Sequence, residues 1–399
     1  MQDVVIVSAC RTAIGDFLGT LKDIPAKDLG IICGEEAIKR AGTEKDIIEE
    51  VMCGNVLQAG QGGNIGRQIA MAMGISSSSG GFTINQLCAS AMRAFEIGCH
   101  NIMLGNISAA LILGIENMSM SPYLVLKGRG GYRMGPGTME DHMLYDGLVC
   151  SIAGYHMGVT AENIAEKYKI SRKEQDELAV MSQARAISSI EKGFFKDEIV
   201  PVEIKKKKET VQFLKDEHPR ANTTLDTLEK LRPAFKKDGT VTAGNASGIN
   251  DAGAACLIMS AEKASDLGVK PRARVISTCT AGVDPKIMGL GPARSIPKVL
   301  EQSGLKFSDI DCWEINEAFA AQFIGVSRML KEDYNIETDI EKINKNGSGI
   351  SLGHPIGCTG LRIIVSLLYE MERSGATLGG ASLCAGGGPS MATIISKDI

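Results

Sequence analysis

Cys88 stands in a local sequence that could support nucleophilic catalysis. It follows the strand-like segment Phe-Thr-Ile at residues 82–84 and precedes a helix-like run from 89 to 99. The thiol would therefore lie at a strand-to-helix turn, near the start of a helix. The partial positive charge of a helix N-terminus stabilises a thiolate and, with a histidine nearby, can lower a thiol pKa from about 8.5 to roughly 3.5–7.5. This pattern alone leaves open a buried, unreactive cysteine.

His354 lies in the glycine-rich sequence Gly-His-Pro-Ile-Gly, residues 353–357, before another helical run. A lone histidine is more often structural than catalytic. Here the proline removes one backbone donor, and the glycines let the backbone approach a ligand closely. A thiol facing an imidazole is the arrangement that Cys–His nucleophilic catalysis requires. In a duplicated fold, His354 would occupy the second-copy place that Cys88 has in the first, so we expect the two residues to face each other.

Two further residues come directly after predicted strands. Cys384 is followed by Ala-Gly-Gly-Gly, a run whose backbone N–H groups could bind an oxyanion. A second thiol at this place could act as acid and base on a carbon acid. Asn316 opens the sequence Asn-Glu-Ala-Phe-Ala, where its amide could hold a water molecule or an oxyanion.

The elements that would position these residues occur twice along the chain. Each copy has a strand, a helix, an acidic turn, a strand ending in asparagine, a long helix and a closing strand. The copies open at residues 4–7 and 274–277, and their asparagines are Asn55 and Asn316. Strands that alternate with helices predict buried, helix-covered sheets. We predict an α/β fold of two duplicated halves, in which His354 takes the place that Cys88 has in the first copy.

A stretch of different composition separates the two copies. It begins with a glycine-rich, basic loop at residues 127–135 and continues with charged amphipathic segments. One of these opens on Ser-Arg-Lys-Glu at residues 171–174, which is typical of a helix capping box. We predict three units, namely an N-terminal half of residues 1–118 and 250–270, an inserted loop domain of residues 119–249, and a C-terminal half of residues 271–399.

The composition is that of an ordinary globular protein of more than one domain. The 399 residues are 44% hydrophobic and 23% charged, and the net charge of −4 gives no indication of a nucleic-acid partner or a membrane surface. Eleven cysteines occur without a Cys-x-x-Cys pair, which argues against a disulfide framework or a zinc site. The chain opens on a strand-like segment where a signal sequence would stand. We expect a cytoplasmic protein with no metal centre and no membrane association.

Taken together, the motifs resemble the thiolase family, and the resemblance covers essentially the whole chain. It implies a layered αβαβα fold, with the loop domain serving CoA binding and oligomerisation. The similarity is in particular to the short biosynthetic branch. The motifs are Asn-x-x-Cys-x-Ser from residue 85, Asn-Glu-Ala-Phe-Ala from 316, Gly-His-Pro-Ile-Gly from 353 and Cys-x-Gly-Gly-Gly from 384, with Arg-Thr-Ala-Ile-Gly at 11–15 and Gly-Asn-Ala-Ser-Gly at 244–248.

The resemblance implies the reversible Claisen condensation of two acetyl-CoA molecules to acetoacetyl-CoA and CoA. The mechanism would be ping-pong, through an acyl thioester on Cys88. His354 would accept the proton of Cys88, and Asn316 would hold a water in a first oxyanion hole. Cys384 would move the α-proton of the second acyl-CoA. The backbone N–H groups of Cys88 and Gly386 would form a second oxyanion hole.

For ligands and partners, the resemblance implies acyl-CoA and CoA as substrates, with no cofactor. It also implies a homotetramer, a dimer of dimers joined through the glycine-rich segment at residues 128–134. Arg220 would lie near the nucleotide phosphates. The implied CoA contacts are Leu148, His156, Met157, Arg220, Ala243, Ala246, Ser247, Met288, Ala318 and Phe319.

The chain departs from the usual family pattern beside the reactive residues. Ala89 and Ala91 stand where glycine is usual, Ala385 where isoleucine is usual, and Pro389 where glutamine is usual. We expect the two methyl groups near Cys88 to tighten the acyl pocket and Ala385 to loosen it on the other side. Substrate chain length is therefore open.

Three alternatives remain at this point. A degradative 3-ketoacyl-CoA thiolase would use the same chemistry on longer chains. A protein of the same fold that binds acyl-CoA without condensing it would be a binding module, and the altered neighbours of Cys88 are its support. A ketoacyl synthase would need a carrier-protein partner and a different final motif in place of Cys-Ala-Gly-Gly-Gly.

Overall fold

A computed structural model describes residues 2–207 and 209–399. The strands in these ranges are β1 (Val4–Thr12), β2 (Gly15–Asp16), β3 (Glu50–Gly54), β4 (Gly80–Ile84), β5 (Ala109–Asn117), β6 (Tyr123–Leu124), β7 (Glu140–Asp141), β8 (Val149–Cys150), β9 (Tyr155–His156), β10 (Ile199–Val200), β11 (Val202–Lys205), β12 (Thr210–Phe213), β13 (Asn250–Ser260), β14 (Ala273–Gly282), β15 (Cys312–Ile315), β16 (Leu378–Cys384) and β17 (Pro389–Ser396). The α-helices are α1 (Ala26–Ala41), α2 (Ile65–Ala72), α3 (Ser90–Met103), α4 (Met157–Tyr168), α5 (Arg172–Glu191), α6 (Leu225–Glu229), α7 (Ala261–Asp266), α8 (Pro292–Ser303), α9 (Ala320–Tyr334), α10 (Gly349–Leu352) and α11 (Ile356–Ser374).

The main sheet contains two copies of one strand arrangement. In the first copy the order is β1-β13-β5-β3, with two antiparallel pairings followed by a parallel one. In the second copy the order is β14-β17-β16-β15, with the same succession of pairings. β4 extends the first copy at its outer edge. The two copies join where β1 pairs with β14, so the sheet is continuous. The predicted duplication is confirmed by this topology.

Five layers result from the way the helices cover this sheet. α3 and α11 pack on each other between the two copies, and α11 contacts β5 and β13 on one side and β15 and β16 on the other. α1 covers the outer face of the first copy, and α8 covers the outer face of the second. Every residue of α11 from Ile356 to Leu368 is buried, as expected for a helix enclosed on all sides. The layered αβαβα prediction is confirmed.

The segment between β5 and β13 forms α4, α5, α6 and short two-stranded pairings, including β11 with β12. Its helix α5 begins with the expected capping box. The Ser171 hydroxyl accepts a bond from the Glu174 N–H at 3.2 Å, and the Glu174 carboxylate accepts one from the Ser171 N–H at 2.8 Å. Within the described ranges, every helix is too short or too polar to cross a bilayer.

Candidate active site

The turn that carries Cys88 lies between β4 and α3 and is held by two polar side chains. The Asn85 side chain accepts a bond from the Leu87 N–H at 2.9 Å. The Ser90 hydroxyl accepts one from the Gln86 N–H at 2.9 Å and donates to the Leu87 carbonyl at 2.6 Å. Leu87 has a φ of 50°, a left-handed conformation that is uncommon outside glycine. The Asn-x-x-Cys-x-Ser spacing therefore builds a tight turn that presents the thiol.

The turn that carries His354 fixes the hydrogen-bonding state of its imidazole. Its backbone N–H donates to the Asn250 side chain at 2.9 Å, and its Nδ1 lies 2.7 Å from the Thr359 hydroxyl. That hydroxyl donates its own hydrogen to the Pro355 carbonyl at 2.9 Å. Thr359 must then accept from Nδ1–H, which leaves Nε2 unprotonated in the neutral ring. His354 is thus prepared to accept a proton through Nε2.

Cys384 ends β16 at the opposite side of the same site. Ala385 donates to the Pro389 carbonyl at 2.8 Å, which closes the glycine turn before β17. The backbone N–H groups of Gly386 and Cys88 itself both stabilise negative charge on the Cys88 sulfur and so lower its pKa. These are the two donors expected for an oxyanion hole. Negative charge on Cys88 raises the pKa of Cys384, after the larger effect of burial.

The electrostatics of the pair differ from the expectation of an ionised thiol. Cys88 is only half-buried, yet the protein around its sulfur raises its pKa to about 11, because desolvation outweighs the two backbone donors. Burial, with a smaller effect from Arg362, lowers the pKa of His354 to about 3. Burial therefore outweighs the lowering of the thiol pKa that a helix N-terminus can give. At neutral pH the cavity therefore presents a thiol and a neutral imidazole.

Asn316 follows β15 and is fully buried. Its backbone N–H donates to the Ser382 carbonyl at 3.0 Å. Among the described residues, neither polar atom of its side chain has a hydrogen-bond partner. Buried amides are normally satisfied by protein or by ordered water. The position therefore suits an amide that holds a water molecule.

One cavity of about 450 Å³ brings the reactive groups together. Cys88, His354, Cys384 and Gly386 line it, whereas the buried Asn316 is not among the lining residues. All ten expected CoA contacts also line it, namely Leu148, His156, Met157, Arg220, Ala243, Ala246, Ser247, Met288, Ala318 and Phe319. The other lining residues were not expected from the sequence and are Asp16, Phe17, Met118, Gly147, His218, Ala234, Phe235, Gly248, Ile249 and Ile356.

Aromatic side chains shape one wall of this cavity. His156 stacks on Phe235 with ring centroids 4.5 Å apart, and Phe235 meets Phe319 edge to face at 6.1 Å. The Gly158 N–H donates to Nδ1 of His156 at 3.0 Å, so the neutral ring carries its hydrogen on Nε2. The flat, largely apolar wall suits a thin, flexible chain that leads to Cys88.

Charged side chains form another part of the lining. Asp16 lies 2.6 Å from Nδ1 of His218, and this hydrogen bond is the main cause of a lowered pKa at Asp16. Arg220 is exposed and also contributes to that lowering. The Asp16 carboxylate lies 3.4 Å from the Asn250 amide, which in turn holds the His354 backbone. A hydrogen-bonded path thus runs from this charged group to the histidine turn.

The altered neighbours of Cys88 do not shape the cavity as expected. Ala89, Ala91 and Ala385 are fully buried, and none of them is among the described residues that line it. The Ala91 methyl group faces β5, because a side chain added at Gly114 would come within 2.7 Å of it. These positions pack the layers together. The expectation that they tighten or loosen the acyl pocket was wrong.

Comparison with known proteins decides the family. The family model of the thiolase N-terminal domain matches residues 4–262, and that of the thiolase C-terminal domain matches residues 269–397. The chain belongs to the thiolase family. This thiolase is 50% identical to an acetyl-CoA acetyltransferase from Syntrophomonas wolfei over 99% of both chains. It is 48% identical to an acetyl-CoA acetyltransferase from Escherichia coli over 100% of both.

Solved structures agree with this assignment. A structure of an acetyl-CoA acetyltransferase from Syntrophomonas wolfei matches this thiolase with a TM-score of 0.99 and 54% identity, and covers 100% of both chains. A human mitochondrial 3-ketoacyl-CoA thiolase in complex with CoA matches with a TM-score of 0.93 and 39% identity, over 99% of this chain and 98% of that one. The thiolase fold predicted from the motifs is confirmed.

Proposed function

We propose that this thiolase is an acetyl-CoA C-acetyltransferase, which condenses two acetyl-CoA molecules to acetoacetyl-CoA and CoA and also runs the reverse reaction. The observation that carries the proposal is the cavity of about 450 Å³ that brings Cys88, His354 and Cys384 together with all ten expected CoA contacts. Relatives named acetyl-CoA acetyltransferase, at 46–50% identity over at least 99% of this chain, support the choice of acyl unit.

The first half-reaction transfers an acetyl group to Cys88. As the sulfur attacks the thioester carbonyl, Nε2 of His354 takes the thiol proton, and the C–S bond to CoA breaks. The departing CoA thiolate takes the proton of Cys384 and leaves as free CoA. Acetyl-Cys88, an imidazolium and a Cys384 thiolate remain, so charge is conserved. Covalent transfer of this kind divides one difficult condensation into two easier steps.

The second half-reaction forms the carbon–carbon bond. The Cys384 thiolate removes an α-proton from a second acetyl-CoA, and the carbanion attacks the carbonyl of acetyl-Cys88. Cys88 leaves and recovers its proton from the His354 imidazolium, which returns every group to its starting state. Burial raises the pKa of Cys384 strongly, so its thiolate is a strong base, as a weakly acidic carbon acid requires.

Two oxyanion sites stabilise the charge that develops on oxygen. A water held by Asn316, together with His354, serves one oxygen. The N–H groups of Cys88 and Gly386 serve the other. One well-placed donor of this kind typically contributes about 2.7–4 kcal/mol to transition-state stabilisation. The thiol, imidazole and amide groups suffice for these steps, with CoA thioesters as substrates and without a cofactor or a metal.

A thiolysis assay across 3-ketoacyl-CoA chain lengths tests this function. We expect the highest kcat/KM with acetoacetyl-CoA and a steep fall as the chain lengthens. A profile that rises with chain length would instead indicate a degradative 3-ketoacyl-CoA thiolase, such as the human relative. Tight binding of acetoacetyl-CoA without a burst of acetyl-CoA would indicate an acyl-CoA-binding module.

We further propose a cytoplasmic homotetramer. Each of the eleven cysteines has a free thiol, which fits a reducing compartment. Apolar side chains that are largely exposed concentrate between residues 120 and 152, with Met134 at 95% and Ile152 at 71% exposure. A concentration of exposed apolar side chains is typical of protein–protein contacts. This stretch includes the glycine-rich segment that the family resemblance associates with joining two dimers.

A further inference from the structure

A buried carboxylate outside the cavity lies between the two catalytic turns. Glu116 is the penultimate residue of β5 and is fully buried. Its Oε1 accepts bonds from the Asn55 side chain at 2.7 Å and the Leu57 N–H at 3.2 Å. Its Oε2 accepts bonds from the Val56 N–H at 3.0 Å and the Gly357 N–H at 2.9 Å. Four uncharged donors therefore converge on one carboxyl group.

These donors belong to the supports of both reactive residues. Gly357 is the second residue of α11 and comes three residues after His354. The loop at 55–57 supports the Cys88 turn, because Asn55 donates to the Ile84 carbonyl at 3.1 Å and Val56 accepts from the Asn85 amide at 3.4 Å. Glu116 thus links the loop under the thiol in the N-terminal half to the helix start behind the imidazole in the C-terminal half.

Glycine at position 357 is what allows the carboxylate to come so near. A Cβ placed there would lie 2.6 Å from Oε2 of Glu116 and 2.8 Å from the Ile115 carbonyl. Even a methyl group would force the start of α11 away from β5. The contact therefore depends on both the carboxylate and the glycine.

The charge of Glu116 opposes catalysis, which points to a positional role. It raises the pKa of Cys88 and so disfavours the thiolate. Burial in turn raises the pKa of Glu116 to about 7. The titratable groups that face it are Asp251 from β13, Cys53 from β3, Cys358 from α11 and Cys88, and no cation among the described residues offsets its charge.

We propose that Glu116 is a positioning residue that sets the separation of Cys88 and His354 by binding the loop under one and the helix start behind the other. An amide in its place would present N–H groups to N–H donors. The hydrogen bonds that join the 55–57 loop to the start of α11 would then be lost. This inference rests on the proposed function, since it assigns Glu116 a part in the acylation of Cys88. A misplacement of about 1 Å at a reacting pair can cost up to about 100-fold in rate.

Two variants and one control separate position from charge. Glu116→Gln removes the carboxylate charge and the hydrogen bonds that join the 55–57 loop to Gly357. Gly357→Ala separates α11 from Glu116 and keeps the carboxylate charge. Asp251→Asn alters another buried carboxylate of the same sheet, which bonds Ser119 and neither catalytic turn. For each full-length protein we would measure thermal unfolding, the burst of acetyl-CoA on mixing with acetoacetyl-CoA and CoA, and the pH profile of Cys88 alkylation by iodoacetamide.

We expect burst rates at least about tenfold below wild type for Glu116→Gln and Gly357→Ala, and within about twofold of wild type for Asp251→Asn. Alkylation should shift to lower pH only in Glu116→Gln, because only that variant removes the charge beside the thiol. Should Glu116→Gln fail to fold, Gly357→Ala carries the test alone. A wild-type burst rate in the folded variants would overturn the inference. Wild-type protein without any burst would instead contradict the proposed function.

Discussion

The hydrogen bond between Thr359 and His354 should control the proton transfer that begins catalysis. Replacing Thr359 with valine keeps the shape of the side chain and removes the hydroxyl that lies 2.7 Å from Nδ1. The buried Nδ1–H then has no acceptor, and the ring can relieve this by rotating or by moving its hydrogen to Nε2. Either change leaves Cys88 without a correctly oriented base.

The magnitude follows from the charge that the ring gains. A neutral hydrogen bond contributes about 1 kcal/mol, and a bond from a charged group is roughly twice as strong. The Nδ1–H bond is neutral in the resting enzyme and becomes charge-assisted as His354 becomes an imidazolium. The additional loss in the transition state is therefore about 1–2 kcal/mol, or roughly 5- to 30-fold in the acylation rate.

The assay is the pre-steady-state burst of acetyl-CoA on mixing with acetoacetyl-CoA and CoA. We expect Thr359→Val to slow the burst by that factor while KM for acetoacetyl-CoA stays nearly constant, because the hydroxyl does not line the cavity. Thr359→Ser is the matched control and should recover most of the rate, since it keeps the acceptor. A wild-type burst in Thr359→Val would refute the tautomer argument, and an equally slow Thr359→Ser would indicate lost packing instead.

Three further predictions concern the thiols and the assembly. After incubation with acetyl-CoA, intact-protein mass spectrometry should show no acetyl adduct on Cys88→Ser and a stable adduct on Cys384→Ser, because the latter loses the acid and base but keeps the nucleophile. Normal turnover by Cys88→Ser would mean that another thiol is the nucleophile. Since the pKa of Cys88 is raised to about 11, its thiolate fraction should grow as pH rises, and alkylation by iodoacetamide should accelerate about tenfold per pH unit from pH 7 to 10; a plateau below pH 8 would show an ionised resting pair. Light scattering at micromolar concentration should give the mass of four chains, and a monomer would contradict the assembly.

Cys88, His354 and Cys384 could be singled out because part of their signal is local, and the structure places all three on one cavity. Their proposed roles came from the family resemblance. A cysteine after a strand, with asparagine and serine at fixed offsets, specifies a turn through short-range hydrogen bonds. The pairing of Cys88 with His354 needed only the recognition that the chain repeats one plan. The repeat predicted two duplicated α/β halves, and the family resemblance implied their layered αβαβα arrangement.

The supports of those residues could not be predicted in the same way. Asn250 and Thr359 are ordinary polar residues, and their partners are set by the packing of distant elements. Glu116 left one weak signal, a carboxylate within the apolar run of β5. The raised pKa of Cys88 could not be inferred from the sequence, because local sequence shows the helix N-terminus but not the burial that outweighs it.

Burial explains why the resting site is uncharged and why its geometry must be fixed so closely. Both turns begin helices of the central layer. α11 can approach α3 closely because Gly360 has no side chain, and a Cβ there would lie 2.6 Å from the Met92 backbone nitrogen. Desolvation raises the pKa of Cys88 and lowers that of His354, so both groups are uncharged at neutral pH before a thioester binds. We therefore expect proton transfer and attack to occur together. A concerted step tolerates less error in the distance between the Cys88 sulfur and Nε2 of His354 than attack by a preformed thiolate would. The hydrogen bonds made by Asn250, Thr359 and Glu116 all help to set that distance.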